Sequence, residues 1–201
     1  MAGGAASRFG GLPKGLAMVD DVRIADRVLA SLRAVSDAQL VVSNEDRAPS
    51  WFPSMRVVAD AVPGLGPLAG IETALRAADG AAVIVVAWDM PFVTVPLLRG
   101  MRALGDVGAS AVVPAHGAAP VYESLCAYYA ADALAVCSQL VASGERRAGA
   151  LREALPSAVT IPERVLLEHG DPARLFLSID SPEQLEALAG ELPRMSLTTR
   201  R

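Results

Sequence analysis

The residues best placed to do chemistry stand at the start of the chain, in "MAGGAASRFGGLPKGL". Two Gly-Gly pairs let backbone N–H groups approach an anion closely, and Arg8 and Lys14 add fixed positive charge, so a phosphate is the natural guest. Two familiar phosphate motifs are absent: no GxxxxGK followed by Ser or Thr occurs, and no GxGxxG. Taken alone, a Gly-rich start also fits a flexible terminus. Asp89 is more specific, because "VIVVAWDMPF" drives a carboxylate out of an apolar run and stops it at Met-Pro. One carboxylate in that position can hold Mg²⁺ against substrate phosphates; a turn or helix-capping Asp is the plainer reading. Asp60, followed by "GLGPLAG", can approach a base through backbone groups or simply form a strand-to-helix turn. Asn44 offers an amide to a base or ribose edge, or serves as a loop Asn. Arg146 and Arg147 in "SGERRAG" can clamp an anionic second substrate or mark an exposed helix start.

The other reactive side chains read as structural. His116 and His169 stand in loop-like contexts with no partner nearby in sequence, so neither is assigned a general-base role. Cys126 and Cys137, in a stretch that reads as helical, lack metal spacing and read as buried thiols. Trp51, Phe52 and Trp88 read as packing residues.

Positioning these groups requires strands that deliver them to one edge. "VRIADRVLASLRAV" places Ile24, Val28, Leu29 and Leu32 at helical spacing, and "AQLVVSN" follows as a short buried strand. "MRVVAD" reads as a strand, "GPLAGIETALRAA" as a helix opened by Gly-Pro, and "AAVIVVAWDMPF" as a fully buried strand. "TVPLLRGMRAL" and "ASAVVPA" continue the alternation. A short strand and a long apolar helix follow within "VYESLCAYYAADALAVCSQLVASG", then short helices in "ERRAGALREAL" and "SPEQLEALAGEL". Strands alternating with helices imply right-handed crossovers and a mainly parallel sheet covered on both faces, with ligands at the carboxyl ends of the strands.

Length and composition agree with one such domain. The chain has 201 residues, 52% of them hydrophobic and only 4% aromatic, which suits a core of small aliphatic side chains. The net charge of -4, with no basic cluster, argues against nucleic acid as a partner. No apolar run has signal-peptide or membrane-span length, so a soluble cytoplasmic protein is expected. We expect one domain over 1–192 and a disordered tail over 193–201.

Assembled, these residues resemble the molybdenum cofactor guanylyltransferases, a family of nucleotidyltransferases. The family's opening L-A-G-G-x-x-x-R-M-G-G-x-D-K-G is matched without a gap by Met1-Ala2-Gly3-Gly4, Arg8-Phe9-Gly10-Gly11 and Lys14-Gly15. The later landmarks come in order: "VVSN", "VVAD", "GPLAGI", "DMPF", "YESLCAYY", "SGERRAGALREAL" and "FLSIDSPEQL". The resemblance implies a Rossmann-like three-layer αβα domain of nucleotidyltransferase type with its first strand truncated. It assigns Met1, Ala2, Gly3 and Asn44 to nucleotide binding, Lys14 to the triphosphate, Asp60 to the guanine side, and Asp89 to Mg²⁺ and GTP.

The reaction it implies is attack by the terminal phosphate of molybdenum-molybdopterin on the α-phosphorus of GTP, with release of pyrophosphate. Lys14, Arg8 and Asp89 carry catalysis, by positioning and charge neutralisation without a general base. Arg146, Arg147, Ser178 and Asp180 fall to the acceptor side, and Asp180 offers a second carboxylate near the metal. Molybdoenzymes or cofactor chaperones are the implied protein partners. The chain departs from the family at Pro13, where the family has Asp, and at Ser178 and Asp180, where it has two Asn. The alternatives left open are a cytidylyltransferase for the same cofactor, a nucleotidyltransferase for another phosphorylated acceptor, and a non-catalytic nucleotide or cofactor carrier. Because the family carries a short strand before L-A-G-G, the natural chain is expected to begin upstream of Met1.

Overall fold

The computed structural model describes residues 1–2 and 13–187. A single turn of 3-10 helix at Lys14–Leu16 leads into a small antiparallel ribbon, β1 (Met18–Val19) and β2 (Val22–Arg23). The chain continues through α1 (Ile24–Arg33), β3 (Leu40–Val42), α2 (Ala48–Trp51), β4 (Arg56–Val58), α3 (Pro67–Ala77), β5 (Val83–Val86) and α4 (Val95–Asp106). β6 (Ala111–His116), β7 (Val121–Tyr122), β8 (Cys126–Tyr129), α5 (Ala133–Ala142), α6 (Gly149–Ala154) and β9 (Ala158–Ile161) follow. Three short helices close the described chain: α7 (Glu163–Leu166), α8 (Pro172–Leu175) and α9 (Pro182–Ala187).

Strand periodicity builds three layers. Successive side chains of a strand point to opposite faces, and here Val86, Val112, Cys126 and Tyr128 pack on one side with Val28 of α1 and Leu97, Leu98 and Met101 of α4. Val85, Ala111, Val113, Ala127 and Tyr129 pack on the other, against Leu68, Ile71 and Leu75 of α3, Cys137 of α5 and Leu151 of α6. Helices thus cover both faces, as the alternation of elements requires.

The sheet is mixed. β3 pairs with β4 in parallel and β6 with β9 in parallel, but β8 is antiparallel to both β5 and β6. The stretch around Cys126 is therefore strand rather than helix. Both thiols are buried, and burial pushes their pKa values up, that of Cys137 to about 12.

Met1 and Ala2 join the β3–β4 pair to the larger sheet. Ala2 N–H donates to the Val42 carbonyl at 2.8 Å, the Met1 amine to the Val86 carbonyl at 2.7 Å, and Trp88 N–H to the Met1 carbonyl at 3.0 Å. Below these rungs β3 and β5 are separated by a cavity of about 520 Å³, lined by Met1, Leu40, Val42, Val83 and Val85 among others. For that reason Val83 and Ile84 are only half-buried, where the apolar run "AAVIVV" reads as wholly covered.

Candidate functional site

Three strand exits and the first two residues of the chain converge on one edge of the sheet. Ser43 and Asn44 leave β3, Asp60 follows β4, and Asp89 follows β5. The 3-10 turn brings Lys14 to the same edge and is fixed from beneath by tight packing. Gly15 lies so close to Trp88 that a Cβ there would fall 2.5 Å from the indole ring, and Trp88 itself stacks on Trp51 at 6.2 Å. Glycine at position 15 is therefore a steric requirement of the turn that carries Lys14.

Asn44 and Asp60 form a closed pair. The Asn44 amide donates to Asp60 Oδ2 at 2.8 Å, and Asp60 N–H donates back to Asn44 Oδ1 at 2.8 Å. Thr73 of α3 donates its hydroxyl to the other carboxylate oxygen, at 2.8 Å. The carboxylate is thus oriented from two elements, while Asn44 stays exposed beside it.

Asp89 is the centre of a second cluster. Ser178 Oγ donates to Asp89 Oδ2 at 2.8 Å, and Lys14 Nζ stands 3.9 Å from the same oxygen. Lys14 donates directly to Asp180 Oδ1. The segment bearing Ser178 and Asp180 is tied down by Ile179, whose side chain is wholly buried against Ala17, Val19, Ile24 and Phe92 and whose N–H donates to the Asp89 carbonyl at 3.1 Å. Among the described residues no group of three or more His, Cys, Asp or Glu forms a metal cage. Two carboxylates are nevertheless a fitting donor set for a small hard divalent cation, which takes one or two protein carboxylates and completes its shell with substrate phosphates and water.

The four residues assigned to the acceptor divide. Ser178 and Asp180 join Asp89. Arg146 and Arg147 lie instead beside the N-terminus of α3: the Arg146 carbonyl accepts from Leu68 N–H at 3.3 Å and abuts Gly66, whose φ of 83° together with that close approach demands glycine. Glu145 orders this loop by accepting from the N–H groups of Arg146 and Arg147 and from the Arg147 guanidinium, and these bonds pull its carboxyl down to about 2. Gly3 and Arg8 lie outside the described residues.

One cluster escaped the sequence reading. His116 Nε2 meets Glu123 Oε1 at 2.8 Å, and the imidazole stacks on Phe176 at 5.3 Å, two residues before Ser178. The signal was present in the hairpin: β6 and β7 pair Ala115 with Tyr122 and His116 with Val121, which brings Glu123 back alongside β6.

Residues 1–191 match the family model described as the MobA-like NTP transferase domain. The chain belongs to this family. Two curated relatives illustrate its place within it. This NTP transferase is 32% identical to a probable molybdenum cofactor guanylyltransferase of Methanothermobacter thermautotrophicus, over 92% of this chain and 94% of the relative. It is 31% identical to the molybdenum cofactor guanylyltransferase of Pseudomonas putida, over 92% and 93%. A crystal structure of molybdopterin-guanine dinucleotide biosynthesis protein A from Archaeoglobus fulgidus superposes with a TM-score of 0.74 at 27% identity, covering 94% of both chains. The NTP transferase is thus a nucleotidyltransferase in both sequence and fold. No helix among its described residues is long and apolar enough to cross a membrane.

Proposed function

We propose that this NTP transferase is a cytoplasmic enzyme that transfers GMP from GTP to the terminal phosphate of molybdenum-molybdopterin with Mg²⁺. The observation that carries the proposal is the similarity to molybdenum cofactor guanylyltransferases over more than nine-tenths of the chain. An oxygen of the acceptor phosphate forms a bond to the α-phosphorus of GTP, and the bond from that phosphorus to the bridging oxygen breaks, releasing pyrophosphate. The nucleophile is already an anion, so no side chain has to remove a proton.

The chain's own residues position and neutralise. Met1, Ala2 and Gly3 begin the loop that receives the nucleotide, and Arg8 and Lys14 offset charge on the α-phosphoryl group and the departing pyrophosphate. The paired Asn44 and Asp60 face the guanosine, with Asp60 already oriented by Thr73 to accept from N–H donors on the base. Asp89 and Asp180 hold the metal, and Ser178 fixes the rotamer of Asp89. What Mg²⁺ would supply when bound there is neutralisation of the charge on the nucleotide phosphates. Arg146 and Arg147 supply positive charge for the anionic acceptor, and molybdoenzymes or cofactor chaperones take the product.

Incubation with α-labelled GTP or CTP, Mg²⁺ and molybdopterin tests the proposal. Label entering a guanine dinucleotide is the expected result. Label entering only a cytidine product overturns the base assignment, and binding without transfer to any acceptor overturns the enzymatic one.

A further inference from the structure

We propose that Asp180 is a latch on Lys14: in the free protein it holds the ammonium away from the nucleotide phosphates, and it releases Lys14 when nucleotide arrives with its divalent cation. The inference rests on the reading above, in which Lys14 serves the triphosphate.

Lys14 is the only lysine in the chain, the remaining 17 basic residues being arginines. Its ammonium is bonded directly to Asp180, while Asp89 lies 3.9 Å away with the same oxygen engaged by Ser178. Among the described residues of this cluster, one positive charge therefore faces two negative ones. A nucleotide without a metal would meet a net negative pair whose ammonium is already taken. A divalent cation held by these carboxylates would change the balance, because it would offset their charge and leave Lys14 to the phosphates.

The surroundings suit a latch better than a permanent bridge. The Asp180 backbone is held, since its N–H donates to Gln184 Oε1 at 2.7 Å and the neighbouring Ile179 is anchored in the core. Its carboxylate is 42% exposed, against 15% for Asp89 and 20% for Lys14. Water and ions thus reach the Asp180 carboxylate while its backbone stays fixed. The pair is part-buried and open to solvent on its carboxylate side, so its contribution is modest and nucleotide can displace it at a cost of about two- to fivefold in affinity. Asp180 is in this sense a positioning residue for Lys14 as well as a carboxylate for the metal.

Two readouts test the latch. The first is the acetylation rate of the Lys14 amine in nucleotide-free protein, followed on its tryptic peptide and unambiguous because no other lysine is present. Asp180→Asn is expected to raise that rate several-fold, and Asp180→Glu to restore it towards the wild-type value. The second is calorimetric binding of GTP in EDTA and in Mg²⁺. Without metal, Asp180→Asn is expected to tighten binding about two- to fivefold, and to tighten it clearly less when Lys14 is already Met. With Mg²⁺ the gain disappears. Unchanged amine reactivity in Asp180→Asn overturns the latch, as does an equal gain in the Lys14→Met background, which would make Asp180 a simple source of repulsion. If the wild-type chain fails to bind GTP even with Mg²⁺, the nucleotide reading itself falls and the latch with it.

Discussion

Ser178 donates its hydroxyl to the Asp89 carboxylate across 89 positions of sequence, at 2.8 Å, and so fixes the rotamer of the acid that leaves β5. A hydrogen bond to a charged acceptor contributes about 1.5–3 kcal/mol. Ser178→Ala should therefore lower kcat/KM for nucleotide transfer about tenfold or more and Tm by a few degrees, while Ser178→Asn, which restores a donor, should recover most of both. Steady-state kinetics with a thermal melt of each variant checks this; a Ser178→Ala enzyme with wild-type kinetics would remove Ser178 from the site.

The Asn44–Asp60 pair leads to a prediction about base choice. Asp60→Asn keeps the shape but removes the charge and one acceptor that would face the base. We expect KM for GTP to rise about tenfold or more, the scale of losing a charge-assisted hydrogen bond, with a smaller change for ATP or CTP. Competition between the triphosphates measures it. Asp60→Ala should additionally cost about 1–2 kcal/mol of stability, since Thr73 loses its acceptor in a buried position.

In a chain that starts at Met1, the buried amine should make stability depend on pH. Burial lowers its pKa from 8.0 to about 6, the charge of Asp89 opposing that shift in part. Between these values the unfolded chain binds more protons than the folded one, so stability is greatest above pH 8, falls as the pH drops, and has lost its full share below pH 6. Two pKa units correspond to about 3 kcal/mol. Urea unfolding of the chain with Met1 as its first residue, at pH 8.5 and at pH 6, should show this loss, and acetylation of the amine should flatten it.

The cavity between β3 and β5 predicts that the sheet can accept one more strand. A five-residue extension rich in Val and Ile, fused ahead of Met1, continues the rungs that Met1 and Ala2 already make. Burying such side chains at roughly 1.5–3 kcal/mol each outweighs an ordering cost of about 1–2 kcal/mol per residue by a few kcal/mol. At 2–4 °C per kcal/mol, Tm should rise about 5–10 °C. An extension of the same length alternating Asp and Gly should give no such increase, and equal melting of the two would show that the cavity does not take a strand.

The sequence by itself determined the elements and the candidates, because both depend on near neighbours. Helical spacing marked α1, the Gly-Pro opening marked α3, a continuous apolar run marked β5, and the break at "DMPF" placed Asp89 at a strand exit. The spacing of Gly, Arg and Lys in the first sixteen residues carried the resemblance to nucleotidyltransferases. Only the tertiary structure decided what those residues face. Lys14 meets Asp180 across 166 positions and His116 stacks on Phe176, pairings that no local pattern encodes. Arg146, grouped with Ser178 and Asp180 from its motif, sits instead at the start of α3 because its carbonyl satisfies Leu68 N–H there. The antiparallel course of β8 and the open slot beside β5 are likewise set by which edges find backbone partners. Periodicity tells a strand which face to bury; it does not tell it which strand will satisfy its hydrogen bonds.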